Sequence, residues 1–149
     1  YDQKFARPYT FIAKLHNFEA TKPAWHMQDT PDLIVGVEIA GTAKAYDWKQ
    51  LQSAGVVIDT VGEASIVLTT DPARTSASVY SRAVDGRILA FTATEQGMTD
   101  TETGSTWNWF GICLDGPMKG KTLTLVQSYQ QYVRAWIQFH PETTFYEFG

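Results

Sequence analysis

From Leu33 onward the apolar and polar residues follow a strand pattern. Leu33 to Ile39 is almost continuously apolar and ends at the tight turn Ala40-Gly41. In the next run, Thr42 to Trp48, Ala43, Ala45 and Asp47 alternate with Thr42, Lys44 and Tyr46. A period of two puts those sets on opposite faces of a strand. Lys49 to Ser53 has room for one helical turn, stopped by Gly55. A second hairpin is predicted from Val56–Val61 and Ala64–Thr69 around Gly62-Glu63. A third joins Ser78–Val84 to Arg87–Thr92 through Asp85-Gly86, because a two-residue turn with both centres at positive φ favours Asp-Gly. Thr106–Leu114 and Lys121–Val126 read as further strands.

The period changes once, near the C-terminus. Tyr129, Tyr132, Val133, Trp136 and Ile137 recur at helical spacing, with Ser128 and Gln131 placed as a capping box and His140-Pro141 as the stop. The pattern predicts an α+β fold: a mostly antiparallel β-sheet or barrel-like core, with one C-terminal amphipathic helix. Residues 1–32 differ. Phe5, Pro8, Tyr9, Phe11, Ile12, Leu15, Phe18, Pro23, Trp25 and Met27 keep no regular period. They read as an extended N-terminal arm before a single β-rich domain at 33–149. The arm would cover an edge of its own domain, dock on a protein partner, or lead back to a removed membrane anchor.

Composition narrows the function classes. The 149 residues suit one domain, and 44% hydrophobic with 13% aromatic residues is too apolar for a disordered chain. A net charge of −4 without a basic cluster argues against a nucleic-acid partner. The single cysteine, Cys113, excludes an internal disulfide and any cysteine-pair metal site. No run of about 18 apolar residues is present to span a bilayer.

A series of motifs then comes in order. Val35-Gly36-Val37-Glu38-Ile39-Ala40-Gly41-Thr42-Ala43-Lys44-Ala45-Tyr46 opens it, followed by Asp59-Thr60-Val61-Gly62 and Val84-Asp85-Gly86-Arg87. Asp100-Thr101-Glu102-Thr103-Gly104-Ser105-Thr106-Trp107, Gly116-Pro117-Met118-Lys119-Gly120-Lys121-Thr122-Leu123 and His140-Pro141-Glu142-Thr143 complete it. Over Leu33 to Thr144 the series resembles the bacterial family called domain of unknown function 3179. The resemblance implies an exported or membrane-attached protein, periplasmic or on the outer-membrane face, with no assigned biochemistry. It also exposes a difference. The family carries a Cys-Pro-x-Cys pair where this chain reads Thr70-Asp71-Pro72-Ala73-Arg74-Thr75-Ser76-Ala77. The following stretch, Thr92 to Thr99, is shortened relative to the family, so two losses would fall near one site.

Asp71 and Arg74 therefore stand where relatives have thiols. They form either an exposed ion pair worth at most ~1 kcal/mol or, through Arg74, a site for an anion or carboxylate. Trp107 and Trp109 are two apart, so on one strand their rings share a face, as core or as a stacking platform for a carbohydrate. Cys113 falls on that face and reads as buried. His26-Met27 is a weak pair for haem or copper, but no two of His16, His26 and His140 have metal-motif spacing and no haem-attachment motif is present, so no cofactor is expected. Asp100, Glu102 and Asp115 are carboxylates whose spacing does not show that they meet. With no nucleophile elbow and no catalytic triad order, the first expectation is a non-catalytic domain acting by contact, an accessory subunit of a membrane-associated assembly reached through the aromatic arm. The alternatives are a binding protein for a small carbohydrate or carboxylate, a degenerate enzyme, and a metal or haem protein.

Overall fold

A computed structural model describes residues 32–148, and the arm, with His16, His26 and Met27, lies outside them. Among the described residues three four-stranded sheets pack on one another through buried apolar side chains. The first sheet has the order β13-β1-β2-β14, from β1 (Leu33–Ile39), β2 (Thr42–Asp47), β13 (Tyr129–Tyr132) and β14 (Thr144–Phe145). The second, β12-β5-β4-β3, uses β3 (Val56–Val61), β4 (Ala64–Thr70), β5 (Ala77–Ser81) and β12 (Leu125–Val126). The third, β11-β10-β9-β8, uses β8 (Phe91–Thr94), β9 (Gly97–Asp100), β10 (Thr106–Trp107) and β11 (Cys113–Asp115). A small hairpin, β6 (Ala83–Val84) and β7 (Arg87–Ile88), stands apart.

Alternation along β1 and β4 sets the layers. Val35 and Val37 pack with Ile66, Leu68 and Val79 between the first and second sheets. Val67 points the other way, into a cluster with Leu89 and with Phe91, Met98 and Trp107 of the third. Ile34, with Ala43 and Ala45, packs on the outer side of the first sheet against Val133, Trp136 and Ile137. The long apolar runs of the sequence are therefore strands buried on both faces. Gly36 is required there: a Cβ on it would lie 2.6 Å from the Trp136 ring.

Among the described residues all strand pairs are antiparallel except β14 on β2. The barrel-like alternative is not what forms. Among the described residues the three sheets are separate ladders and do not close on one another. The first strand has the predicted bounds and the second stops one residue early, at Asp47, because Trp48 opens a helix; the turn residues Ala40 and Gly41 have φ of 51° and 85°. Asp85 and Gly86, at 50° and 79°, make the predicted type of turn. Its strands are shorter than predicted because Arg82 interrupts them: its side chain donates to the carbonyls of Ile66 and Leu89.

The helices differ more. The turn predicted after Trp48 is a seven-residue helix, α1 (Trp48–Ala54), capped by the Asp47 side chain and closed by Gly55 at φ 82°. The C-terminal helix, α2 (Val133–Phe139), starts five residues after Ser128, and Tyr132 is its N-cap without a side-chain bond. Tyr129 to Tyr132 instead pair with Gly36 to Leu33 of β1. A nonlocal ladder with β-favouring tyrosines outweighs the local capping box. The strand predicted over Thr106–Leu114 also breaks, because the Asn108 side chain accepts from the backbone N–H of Phe110 and of Ile112 and folds a turn between β10 and β11. Of Lys121–Val126, only Leu125 and Val126 form a strand.

Candidate functional site

The corner between β4 and β5 is built by its own side chains. Thr70 pairs with Ala77 at its base, and the Arg74 N–H bonds the Asp71 carbonyl at 2.8 Å. The Asp71 carboxylate accepts from the Thr75 N–H at 2.7 Å, the Thr75 hydroxyl at 2.6 Å and the Ser76 N–H at 3.0 Å. The bonds from the Thr75 hydroxyl and the Ser76 N–H hold this carboxyl below its ordinary pKa.

Asp71 and Arg74 do not pair with each other. The Arg74 guanidinium donates to the carbonyls of Gln52 and Ser53, and Gln52 returns a bond from Nε2 to the Arg74 carbonyl at 2.6 Å. Those two carbonyls belong to the last turn of α1, where a helix has acceptors without internal donors and a negative dipole end. Arg74 therefore ties the corner to the helix terminus. It does so at φ 60°, a left-handed conformation that costs an L-residue about 1 kcal/mol or more. Gly55 leaves room for the guanidinium, which lies 3.3 Å from where a Cβ would be.

The tryptophans meet the same neighbourhood from below. Trp107 lies in β10 with no exposed surface, edge-on to Phe91 at 5.8 Å. Trp109 lies in the turn, 7% exposed, and its carbonyl accepts from the Thr69 hydroxyl at 3.0 Å. One indole is on a strand and the other on a turn, so the shared face expected from their spacing does not form. Both rings belong to the core and neither is an open stacking platform. The β8–β9 hairpin reaches this turn as well: a Cβ at Gly97 would strike the Trp107 carbonyl and Asn108. Cys113 opposes Trp107, is buried, and approaches the Asp115 carbonyl at 3.3 Å.

Behind β10 lies a buried polar network made by the Asp100–Trp107 motif. Asp100 is wholly buried. Its Oδ2 accepts from the Trp107 indole N–H at 2.8 Å, its Oδ1 from the Thr103 backbone N–H, and both from the Thr103 hydroxyl. Burial pushes the carboxyl pKa up, but the bonds from Trp107, Thr103 and Gly104 outweigh it and hold the group below its ordinary value. Thr103 passes the chain to the Ser105 hydroxyl at 2.7 Å, which accepts from the Met118 N–H. Gly116 packs so closely on Ser105 that a Cβ would lie 2.7 Å away. Glu102 is exposed and caps the Ala90 N–H at 2.9 Å. Asp100, Glu102 and Asp115 therefore hold separate structural places.

Two further clusters were not legible as units. Lys44 Nζ and the Tyr46 hydroxyl both reach Asp59 Oδ2 at 2.7 Å, joining the first sheet to the second. Burial, and then the bond to Asp59, push the Tyr46 pKa far up, so this phenol is a donor and not a base. Lys44 and Tyr46 are two apart on one strand, which was the available signal; their partner lies on another sheet. The His140 ring stacks on Trp136 at 3.8 Å, and the Trp136 indole donates to Thr143 Oγ1 at 2.7 Å. Among the described residues, no three His, Cys, Asp or Glu side chains are grouped to hold a metal. No described helix is long and apolar enough to cross a membrane.

The motif order and the interlocked motifs accord with a match to the family model described as protein of unknown function (DUF3179), over residues 1–143. The chain belongs to this family. The match takes in the first 32 residues, beyond the span of the motifs that suggested it. No curated protein and no solved structure matches the chain.

Proposed function

We propose that this chain is a non-catalytic extracytoplasmic domain that works by protein contact, as an accessory subunit of a membrane-associated assembly. The observation that carries the reading is the state of the corner. Asp71 is engaged by Thr75 and Ser76, and Arg74 by the end of α1, so the side chains in the place of the family's thiols serve the fold. A surface suited to contact lies elsewhere. Phe110, Ile112, Leu114 and Leu125 are 54%, 41%, 49% and 67% exposed. Backbone pairing brings the segments of Phe110, Ile112 and Leu125 together: Ile112 bridges Thr122, the Leu123 N–H bonds the Gly111 carbonyl, and Leu125 pairs with Tyr80. Grouped exposed apolar side chains of this size commonly mark interaction surfaces. The compartment rests on the family resemblance.

Co-purification from the membranes of the source cells tests the reading. A tagged chain should bring down one defined membrane complex, and the double variant F110S/L125S should lose it while keeping its circular-dichroism spectrum. A chain that purifies as a stable monomer with no membrane complex, or a variant that keeps the complex, overturns the proposal.

A further inference from the structure

The third sheet has one face in the core and one outside, and the outer face carries hydroxyls in a row. Met98 and Trp107 point inward. On the outer side Thr92 pairs with Thr99, Thr99 with Thr106, and Thr106 with Asp115, across the order β8-β9-β10-β11. Neighbouring strands lie about 4.8 Å apart, so the hydroxyls repeat at that spacing. A depression of about 320 Å³ opens beside the row, lined by Thr94, Glu95, Gln96, Thr99 and Thr106. A bulge between Thr106 and Trp107 bends the edge strand beside it.

These lining groups differ from the other polar clusters of the molecule. Thr69, Thr75, Thr103 and Thr143 all donate their hydroxyls to internal acceptors. None of the five side chains around the depression has a hydrogen-bond or ion-pair partner among the described residues. Their chemistry specifies the ligand. A threonine hydroxyl both donates and accepts, Gln96 offers one group of each kind, and Glu95 accepts from paired hydroxyls. The threonine methyls give small apolar contacts between them. Glu95 is the one charged lining residue, so an anion is disfavoured.

We propose that this outer face binds a neutral polyhydroxylated ligand, a glycan strand laid across the sheet along Thr92, Thr99 and Thr106, with Glu95 and Gln96 of the β8–β9 turn gripping it from the side. The site uses none of the corner's side chains and neither Phe110 nor Leu125, so it extends the contact reading without depending on it.

Native affinity electrophoresis of the whole chain tests the proposal, with hydroxyethylcellulose, laminarin, mannan or soluble starch in the gel and alginate as the anionic control. At least one neutral polysaccharide should retard the wild-type chain, and alginate should not. The variant T99V/T106V keeps side-chain shape and strand preference while removing two hydroxyls. At about 0.5–1.5 kcal/mol for each lost bond, its affinity should fall roughly tenfold. The exposed hairpin variant E95A/Q96A should fall similarly and serves if the first melts early, whereas F110S/L125S should bind as wild type does. No retardation by any neutral polymer, equal retardation of both threonine and hairpin variants with wild type, or preference for alginate would overturn it.

Discussion

Replacing Asp100 by asparagine changes two atoms' worth of chemistry in a site with no solvent. The wild-type carboxylate is wholly buried and only accepts: Oδ1 from the Thr103 N–H and hydroxyl, Oδ2 from the Trp107 indole and the same hydroxyl. Asparagine has the same shape but one of its ends donates. Whichever way the amide turns, its NH2 faces either the Thr103 N–H or the indole N–H. One buried donor is left without an acceptor, which costs about 1–3 kcal/mol. The remaining bond also loses its charge assistance, roughly another 1 kcal/mol. The expected loss is about 2–4 kcal/mol, and at about 2–4 °C per kcal/mol for a chain of this size it lowers Tm by roughly 5–15 °C.

Urea titration followed by far-ultraviolet circular dichroism measures the loss, and a second substitution tests its origin. Trp107→Phe removes the indole donor and leaves space for the asparagine NH2. The double variant should therefore lose less than the sum of the singles, by about 1–2 kcal/mol. The pH dependence supplies an independent sign. The folded-state pKa of Asp100 is lowered, so its ionised form stabilises the fold above the ordinary carboxylate range, and that contribution fades as pH falls through the folded value. The gap between wild type and Asp100→Asn should narrow below about pH 4. A single variant within about 0.5 kcal/mol of wild type, or strict additivity with Trp107→Phe, would refute the reasoning.

Thr70 is 1% exposed and its hydroxyl has no partner among the described residues; Thr70→Val keeps the shape, so it should raise stability by about 1 kcal/mol in the same urea assay, and a drop would reveal a partner for that hydroxyl. Arg74→Ala and Arg74→Gly both lose the bonds to the end of α1, but only glycine adopts φ 60° without strain; both should melt below wild type, with the glycine variant about 1 kcal/mol more stable than the alanine one, and equal melting would show that the backbone there is not strained.

What the sequence made legible was what adjacent residues decide. Ala40-Gly41 and Asp85-Gly86 are turns because of their own φ angles, and Gly55 stops α1 for the same reason. The misreadings came where a distant strand decided. Tyr129 and Tyr132 fit the helical stripe as well as Val133 and Trp136 do; only the ladder with β1 separates them. The spacing of Trp107 and Trp109 implied a shared face, but the Asn108 side chain turns the backbone between them. Asp71 and Arg74 were correctly placed on a turn after a strand. Their bonds could not be inferred, because the partners of Arg74 lie 21 and 22 residues away in α1.

The family motifs can now be sorted by what their side chains do. Gly36 makes room for Trp136, and Trp136 is fixed by Thr143 and stacked under His140. Lys44 and Tyr46 are joined through Asp59, and Asp100, Thr103 and Ser105 are joined to Trp107, Gly116 and Met118. The polar side chains in these sets bond one another inside the molecule and leave little for a ligand to use. A site for an external partner needs polar groups whose capacity is still open, or apolar groups that water still touches. The threonine face and the Phe110 surface meet those conditions, and of their side chains only Thr106 belongs to the motif series. For a chain of this family, then, the residues that identify it and the residues that act for it need not be the same set.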